Sequence, residues 1–262
     1  MTRRIDLNSD MGESYGNFRV GNDEEIMPLI TSASAACGFH GGDPVTMGRI
    51  ADLSKRHRVG VGAHPGLPDL MGFGRREMKI TPEEARAYVL YQAGALRAFL
   101  ESRGMRMQHV KPHGAFYSIL MKNEDLSRAV AEAILDLDRS LFWYMPVPNK
   151  SAEWARSMGV RVVGELYVDM DYAPDGSLVV RRQQYDHEAS PKETAEKIIR
   201  FLDEGKVKTL AGTDLEIEAT SVCVHGDTKN AAVSLRAIRE ELDKNGVEIT
   251  SIKNILAPTI VA

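Results

Sequence analysis

The sequence predicts a single α/β domain built on parallel strands. Short apolar segments of strand length alternate with helical segments from end to end, seven times, and no linker-like or low-complexity stretch interrupts them. Four of the seven histidines sit just past such a short segment and just before a glycine or Pro-Gly: "CGFHGGDP" (37–44), "GAHPG" (62–66), "VKPHG" (110–114) and "CVHGD" (223–227). The 262 residues, 43% hydrophobic and 27% charged, are enough for one sizeable core. A barrel and an open sheet both satisfy this alternation. In either, ligands bind at the carboxyl ends of the strands, where connecting loops and helix N-termini converge.

The elements follow in order. "RIDL" (4–7) is the first strand, and a helix is expected over 23–31. "SASAAC" (32–37) is the second strand; Asp43-Pro44 then opens a helix to about Arg58, with Asp as N-cap and Pro at the first helical position. "VGVGA" (59–63) is the third strand, and the Gly/Pro-rich loop 64–80 after it is long enough to be functional. Thr81-Pro82-Glu83-Glu84 is a capping box for a helix to about Arg103. "MQHVK" (107–111) and a helix over 123–137 make the fourth unit; "LFWYMPV" (141–147) and a short helix over 150–158 make the fifth. "VRVVGELYV" (160–168) is the sixth strand, followed by a hairpin-like excursion at 172–182 around Asp175-Gly176. A second capping box, Ser190-Pro191-Lys192-Glu193, starts a helix to about Glu204; 206–219 reads as irregular. "TSVCV" (220–224) is the seventh strand and 228–244 the last helix.

A formal net charge of −4 gives no electrostatic case for nucleic acid or an anionic membrane as partner. No 18-residue apolar run and no signal-peptide core is present, and two cysteines make no disulfide framework, so a cytoplasmic location is expected. Walker A, HExxH, CxxC and G-x-S-x-G signatures are absent.

Polar residues gather where the strands end. Asn8, Asp10 and Glu13 follow the first strand, His40 and Asp43 the second and His64 the third. Lys111 and His113 end the fourth, Glu165 and Asp169 belong to the sixth, and His225 and Asp227 follow the seventh. If the strands are parallel, all of them share one rim. Asp43 reads first as a helix cap, and Asp227 equally as a cap or a site residue. His57, His109 and His187 are weak candidates, and Cys37 and Cys223 read as buried fillers rather than nucleophiles. Histidines and carboxylates at such a rim can exchange protons near neutral pH or hold a divalent metal with a position left for water, and a lysine can stabilise an oxyanion or hold an anionic group. Together they point to hydrolysis of a small polar substrate.

Five ordered motifs, "DLNSDMGESYG" (6–16), "ACGFHGGDP" (36–44), "GAHPGLPD" with "GFGRR" (62–76), "VKPHGAFY" (110–117) and "VCVHGDT" (222–228), resemble the LamB/YcsF family across nearly the whole chain. The resemblance implies an irregular seven-stranded β/α barrel of the glycoside hydrolase/deacetylase kind. It also implies ATP-dependent opening of the lactam 5-oxo-L-proline to L-glutamate, with partner subunits B and C of a 5-oxoprolinase and with ATP as co-substrate. On that reading Asp10, His40, His64, Lys111, His113 and His225 are catalytic: Asp10 or His40 as base, His64, His113 and His225 orienting substrate and water, and Lys111 pairing with the substrate carboxylate or an acyl phosphate. Asn8, Glu13, Glu165, Asp169 and Asp227 bind substrate, and Asp10, His40 and His64 are the candidate metal ligands. Replacing His113 or Lys111 with Ala should abolish turnover with the fold intact. The chain departs from the family pattern at Ser34 and Ser118, where Asn is usual, at Asp169-Met170, where an acidic-Arg pair is usual, and at 181–190. A metal-dependent amidase or deacetylase without ATP, and a non-catalytic lactam- or sugar-binding protein, are the alternatives. The oligomeric state, a homo-oligomer included, is left open.

Overall fold

The computed structural model describes residues 3–179, 190–226 and 231–257. Within them β1 (Arg3–Met11), β2 (Ser32–Ala36), β3 (Gly60–His64), β4 (His109–Val110), β5 (Phe142–Pro146) and β6 (Arg161–Tyr167) pair in sequence order. Two antiparallel hairpins follow, β7 (Asp171–Tyr172) with β8 (Leu178–Val179) and β9 (Lys206–Lys208) with β10 (Asp214–Glu216). Then β11 (Ser221–Cys223) lies parallel between β6 and β1 and closes the sheet into a seven-stranded barrel. A last strand, β12 (Val247–Ile249), pairs with Arg3–Ile5 at the start of β1. Closure settles the choice between barrel and open sheet.

The connecting helices are α1 (Asp23–Ile26), α2 (Pro44–His57), α3 (Pro82–Glu101), α4 (Gly114–Lys122), α5 (Glu124–Leu137), α6 (Lys150–Ser157), α7 (Pro191–Glu204), α8 (Ala231–Lys244) and α9 (Ile252–Ile255). The predicted caps form: Asp43 accepts from the Thr46 amide at 2.7 Å, and both capping boxes, Thr81/Glu84 and Ser190/Glu193, are complete. The helix expected over 23–31 is shorter, passing at Met27–Leu29 into a 3-10 turn. Pro28 lacks the N–H that a continued α-helix needs there. The fourth unit holds two helices rather than one; Asn123 ends α4 and its side chain caps α5. Part of the stretch expected to be irregular, 206–219, is the β9–β10 hairpin. Residues 180–182 of the expected excursion, and 228–230 of the expected last helix, lie outside the described residues. No helix among the described residues is long and apolar enough to cross a membrane.

Alternation along the strands separates two environments. Ile5, Leu7, Ala33, Ala35, Val61, Ala63, Val110, Trp143, Leu166 and Val222 belong to the buried apolar core that includes Val89, Ala93 and Leu96 of α3 and Leu235 of α8. The alternate positions, Asp6, Asn8, Ser32, Ser34, His109, Tyr144, Glu165 and Ser221, are polar and fully buried. Asp6 collects four hydroxyl donors across the barrel: Thr31 and Ser32 at 2.7 Å, Ser221 at 2.6 Å and Tyr144 at 3.1 Å. Burial pushes its carboxyl up, and these donors, Ser221 foremost, oppose the shift.

Space inside the barrel is tight at Gly62, where a Cβ would lie 2.2 Å from the buried His109 ring. Gly62→Ala is expected to cost about 1–3 kcal/mol of stability, read as a fall in the urea midpoint; an unchanged midpoint would show that the His109 ring can move aside.

Candidate functional site

Parallel strands carry their chemistry to one end. Asp10, His64, Lys111, His113, Asp169 and His225 all line a single cavity of about 370 Å³ at the C-terminal rim, with Glu13 on its wall. His40 lies behind, its ring stacked on His113 at 3.7 Å between centroids. Asn8 and Glu165 sit below, fully buried; both contact the Lys111 ammonium, and Glu165 also accepts from the Tyr167 hydroxyl at 3.5 Å. Asp43 is the cap of α2 and also accepts from the Gly16 amide. Asp227 lies outside the described residues, as does His187. His57 is exposed on the last turn of α2; His109 is buried in the barrel against Ser34 at 3.0 Å, its imidazole pushed down to about 3 by burial.

Lys111 is the hub. Its ammonium donates to Asp10 Oδ1 at 2.9 Å, Asn8 Oδ1 at 3.0 Å and Cys223 Sγ at 3.1 Å, as many bonds as it has protons. Glu165 Oε1 is a further 3.2 Å contact. Burial works against its charge, but Asp10 and the other acceptors hold the ammonium well above the usual lysine range. Burial likewise opposes a charged Asp10, yet His64 and Lys111 keep its carboxyl well below the ordinary value. Glu165 is pushed up by burial against the pull of Lys111. This geometry bears on two expectations drawn from the sequence. The three protons of Lys111 go to protein acceptors rather than to a group in the cavity. Its replacement by Ala also leaves buried carboxylates uncompensated, so the fold is not expected to be untouched.

A histidine cluster occupies the other wall. The loop 64–80 is held in place by Gln92 of α3, which brackets Gly66 through its amide and carbonyl at 2.9 and 3.0 Å, and by Asp69, whose buried carboxylate binds Arg76. This places the Phe73 carbonyl 2.8 Å from His113 Nε2, while the Lys111 carbonyl lies 2.6 Å from His64 Nδ1. Each carbonyl requires an N–H, which leaves the facing atoms, His64 Nε2 and His113 Nδ1, only 2.9 Å apart. Asp10 Oδ2 is 3.3 Å from the first and Glu13 Oε1 3.6 Å from the second; Glu13 Oε1 is also 3.3 Å from His40 Nε2. Burial, and then neighbouring histidines, keep His40 and His113 well below the ordinary imidazole value. Ligand atoms of Glu13, His40, His64 and His113 all lie within 4.8 Å of one another. Asp10, expected with His40 and His64, keeps its contact with His64 but shares no such group with His40; it groups with Cys223 and His225. Gly74, at φ +62°, is essential to the stacking, since a Cβ there would lie 2.6 Å from His40 Cβ and 2.8 Å from His113 Cδ2.

His225 faces this cluster with its Nε2 3.8 Å from Asp10 Oδ2, while its Nδ1 is bonded to Asp169. Burial disfavours its charge, but Asp169 prevails and lifts the imidazole to about 9. Sequence reasoning missed Tyr167 and Tyr117, both on the cavity wall, because each lies within or beside an apolar run. It also missed Cys223 as an acceptor for Lys111; burial pushes that thiol up, and Cys37 to about 12. Of the departures, Ser118 and Met170 line the cavity, whereas Ser34 lies below it on His109.

The sequence profile of the LamB/YcsF family matches residues 5–257. The 5-oxoprolinase A subunit of Pyrococcus abyssi is 47% identical, over 97% of this chain and 99% of that protein. The corresponding protein of Thermus thermophilus is 46% identical over 94% and 98%. The crystal structure of a lactam utilization protein from Thermus thermophilus superposes with a TM-score of 0.89 at 44% identity, covering 95% of this chain and 100% of that one.

Lys111→Met is expected to lose about 3–5 kcal/mol, because Asp10 and Glu165 would keep buried charge without a cation; urea unfolding measures this, and a loss below about 1 kcal/mol would deny the pairing. For His225 the folded value of about 9 exceeds the ordinary 6.5. Its pairing with Asp169 therefore stabilises fully below about pH 6.5 and is lost as pH rises through about 9. The stability gap to Asp169→Asn is expected to shrink over that window, and NMR titration of His225 in the variant to fall back toward 6.5. A gap constant with pH would mean His225 is uncharged.

Proposed function

The chain belongs to the LamB/YcsF family, and from that premise we propose that it is the lactam-opening subunit of an ATP-dependent 5-oxoprolinase. It converts 5-oxo-L-proline to L-glutamate in the cytoplasm together with partner subunits B and C. One observation carries the reading: a proton donor and a proton acceptor face each other across one small cavity, the imidazolium of His225 at 3.8 Å from the ionised Asp10. Opening a lactam needs both. Amide resonance makes the ring carbonyl a poor electrophile and the ring nitrogen a poor leaving group.

Transfer of the γ-phosphoryl group of ATP to the lactam oxygen removes the first obstacle. This chain has no Walker A sequence, so that step falls either to an atypical nucleotide site in this chain or to the partner subunits. Water then adds to the activated carbon, and Asp10 Oδ2 takes its proton. As the C–N bond breaks, its electron pair goes to nitrogen, His225 supplies the proton that makes the amine, and the hydroxyl of the adduct releases its proton to solvent as the C=O of the acyl phosphate forms. Asp169 keeps His225 charged for this transfer, and the proton on Asp10 can return to His225 across the 3.8 Å gap. A second water releases phosphate from the acyl phosphate and completes glutamate. Lys111 holds Asp10 ionised and in place. The cavity of about 370 Å³ is at the small end of ligand sites, in keeping with a five-membered ring.

Glu13, His40, His64 and His113 fit a divalent metal. Their converging lone pairs need a cation or a proton between them, and two of the histidines anchor their other nitrogen on a backbone carbonyl, as metal-bound histidines do. When bound, such an ion would polarise the lactam carbonyl or the attacking water. The donor set favours one second reading, a metal-dependent amidase that needs no ATP.

The test is glutamate release from 5-oxo-L-proline with and without ATP, partner subunits and a chelator. Release only in the complete, ATP-containing mixture is expected, with His225→Gln slowed by about 10²–10⁴. Release without ATP, abolished by chelation, would replace the first reading by the second; none from the fully assembled proteins would overturn both.

A further inference from the structure

We propose that Lys197 is a positioning residue for the proton donor: from outside the cavity it fixes the turn that carries Asp169, and through Asp169 it holds His225 in place. This rests on the reading above, in which His225 supplies the proton to the leaving nitrogen. Strand β6 ends at Tyr167, opposite Cys223 of β11, and the chain passes through 168–170 into β7. Backbone groups beyond the end of a ladder must find other partners, and here side chains provide them. Lys197 Nζ donates to the Tyr167 carbonyl and to the Met170 carbonyl, each at 3.1 Å, and so spans the turn. The Tyr172 hydroxyl accepts from the Tyr167 amide at 2.9 Å, and the Lys197 ammonium lies 5.4 Å from the centroid of the same ring.

Both sides of this clamp are firmly held. Helix α7 starts at the Ser190/Glu193 capping box and buries Thr194, Ala195, Ile198 and Phe201, which leaves Lys197 half-buried beside that face. Tyr172 is fully buried, and its carbonyl accepts from the Leu210 amide at 2.9 Å, which ties it to the β9–β10 hairpin. Asp169 lies in sequence between the two carbonyls that Lys197 grips, and its carboxylate is bonded to His225 Nδ1. Desolvation opposes charge on Asp169, but His225 first, and Lys197 to a smaller extent, keep the carboxyl below its ordinary value. Tyr167, Asp169, Met170 and His225 line the cavity, whereas Lys197 does not. Its effect on the reaction must therefore pass through the turn. Displacing a positioned group by about 1 Å can cost about 10²-fold in rate.

The experiment uses Lys197→Met, which keeps the stem and removes the donors, and Lys197→Arg, which restores donors and charge. Melting temperatures check folding; Lys197→Gln, too short to span both carbonyls, takes the place of the Met variant if that one does not fold. In the complete, ATP-containing assembly Lys197→Met should lower kcat for 5-oxo-L-proline by about tenfold to a hundredfold, with KM nearly unchanged. Lys197→Arg should recover part of the loss. In a His225→Gln background Lys197→Met should cost almost nothing further, which a general structural role would not produce. In the chain alone, the NMR signal of the His225 Nδ1 proton should move between the unaltered protein and Lys197→Met. Unchanged kcat, an unmoved His225 signal, or a full additional loss in the His225→Gln background would overturn the inference and leave the function standing. Absence of turnover in the unaltered assembly would overturn the function, and the inference with it.

Discussion

An ammonium group held inside a protein must be surrounded by acceptors, and meeting that demand for Lys111 organises the rest of this barrel. Taking a lysine charge out of water costs several kcal/mol, and Coulomb attraction compensates only when the acceptors are close and correctly placed. Here they come from three strands at once: Asn8 and Asp10 from β1, Glu165 from β6 and Cys223 from β11, with Lys111 itself just past β4. Those strands are brought together only by closure, through the pairing of Asn8 with Cys223 and of Glu165 with Ser221. The polar interior continues downward: Asn8 donates to Ser221 at 2.7 Å and Ser221 to Asp6 at 2.6 Å. The lysine is thus fixed from beneath by an unbroken hydrogen-bonded chain, which explains why the inside of the barrel is polar rather than aliphatic.

That arrangement also sets the protonation states above it. With Lys111 and His64 beside it, Asp10 stays ionised; with Asp169 beside it, His225 stays charged. The two are therefore poised in opposite states within one small space, although both are largely removed from water. The histidine cluster is controlled differently, by two backbone carbonyls that dictate which ring nitrogen carries the proton. Loop geometry, through Asp69, Gln92 and Gly74, is consequently part of the chemistry, since it positions the Phe73 carbonyl and lets His40 and His113 stack.

Some elements are readable in the sequence and others are not, for identifiable reasons. The capped helices α2, α3 and α7 are legible because Asp43, Thr81 and Ser190 each precede a proline and leave the backbone little alternative. Helix α4 is not, because "GAFYSILMK" is apolar on most faces and begins at His113 without a side-chain cap. Helix α1 stops short of the apolar pattern around it because Pro28 interrupts the backbone bonding that the pattern alone would extend. Strand β12 and helix α9 carry too little local signal, being short and dependent on contacts with β1.

The sequence by itself determined the alternation of strands and helices, the family, and the rim to which Asp10, His64, Lys111, His113, Asp169 and His225 belong, because strand ends and Gly/Pro turns are written locally in residue type. Only the tertiary structure decided which partners each of those residues meets. Barrel closure made Lys111 a buried counter-ion of Asp10 and Glu165, brought Glu13 rather than Asp10 into one group with His40, His64 and His113, and left Asn8 and Glu165 beneath the cavity instead of in it. The reason is physical: proton states and ligand sets depend on distances of about 3 to 4 Å between residues far apart in the chain, and no local pattern encodes them.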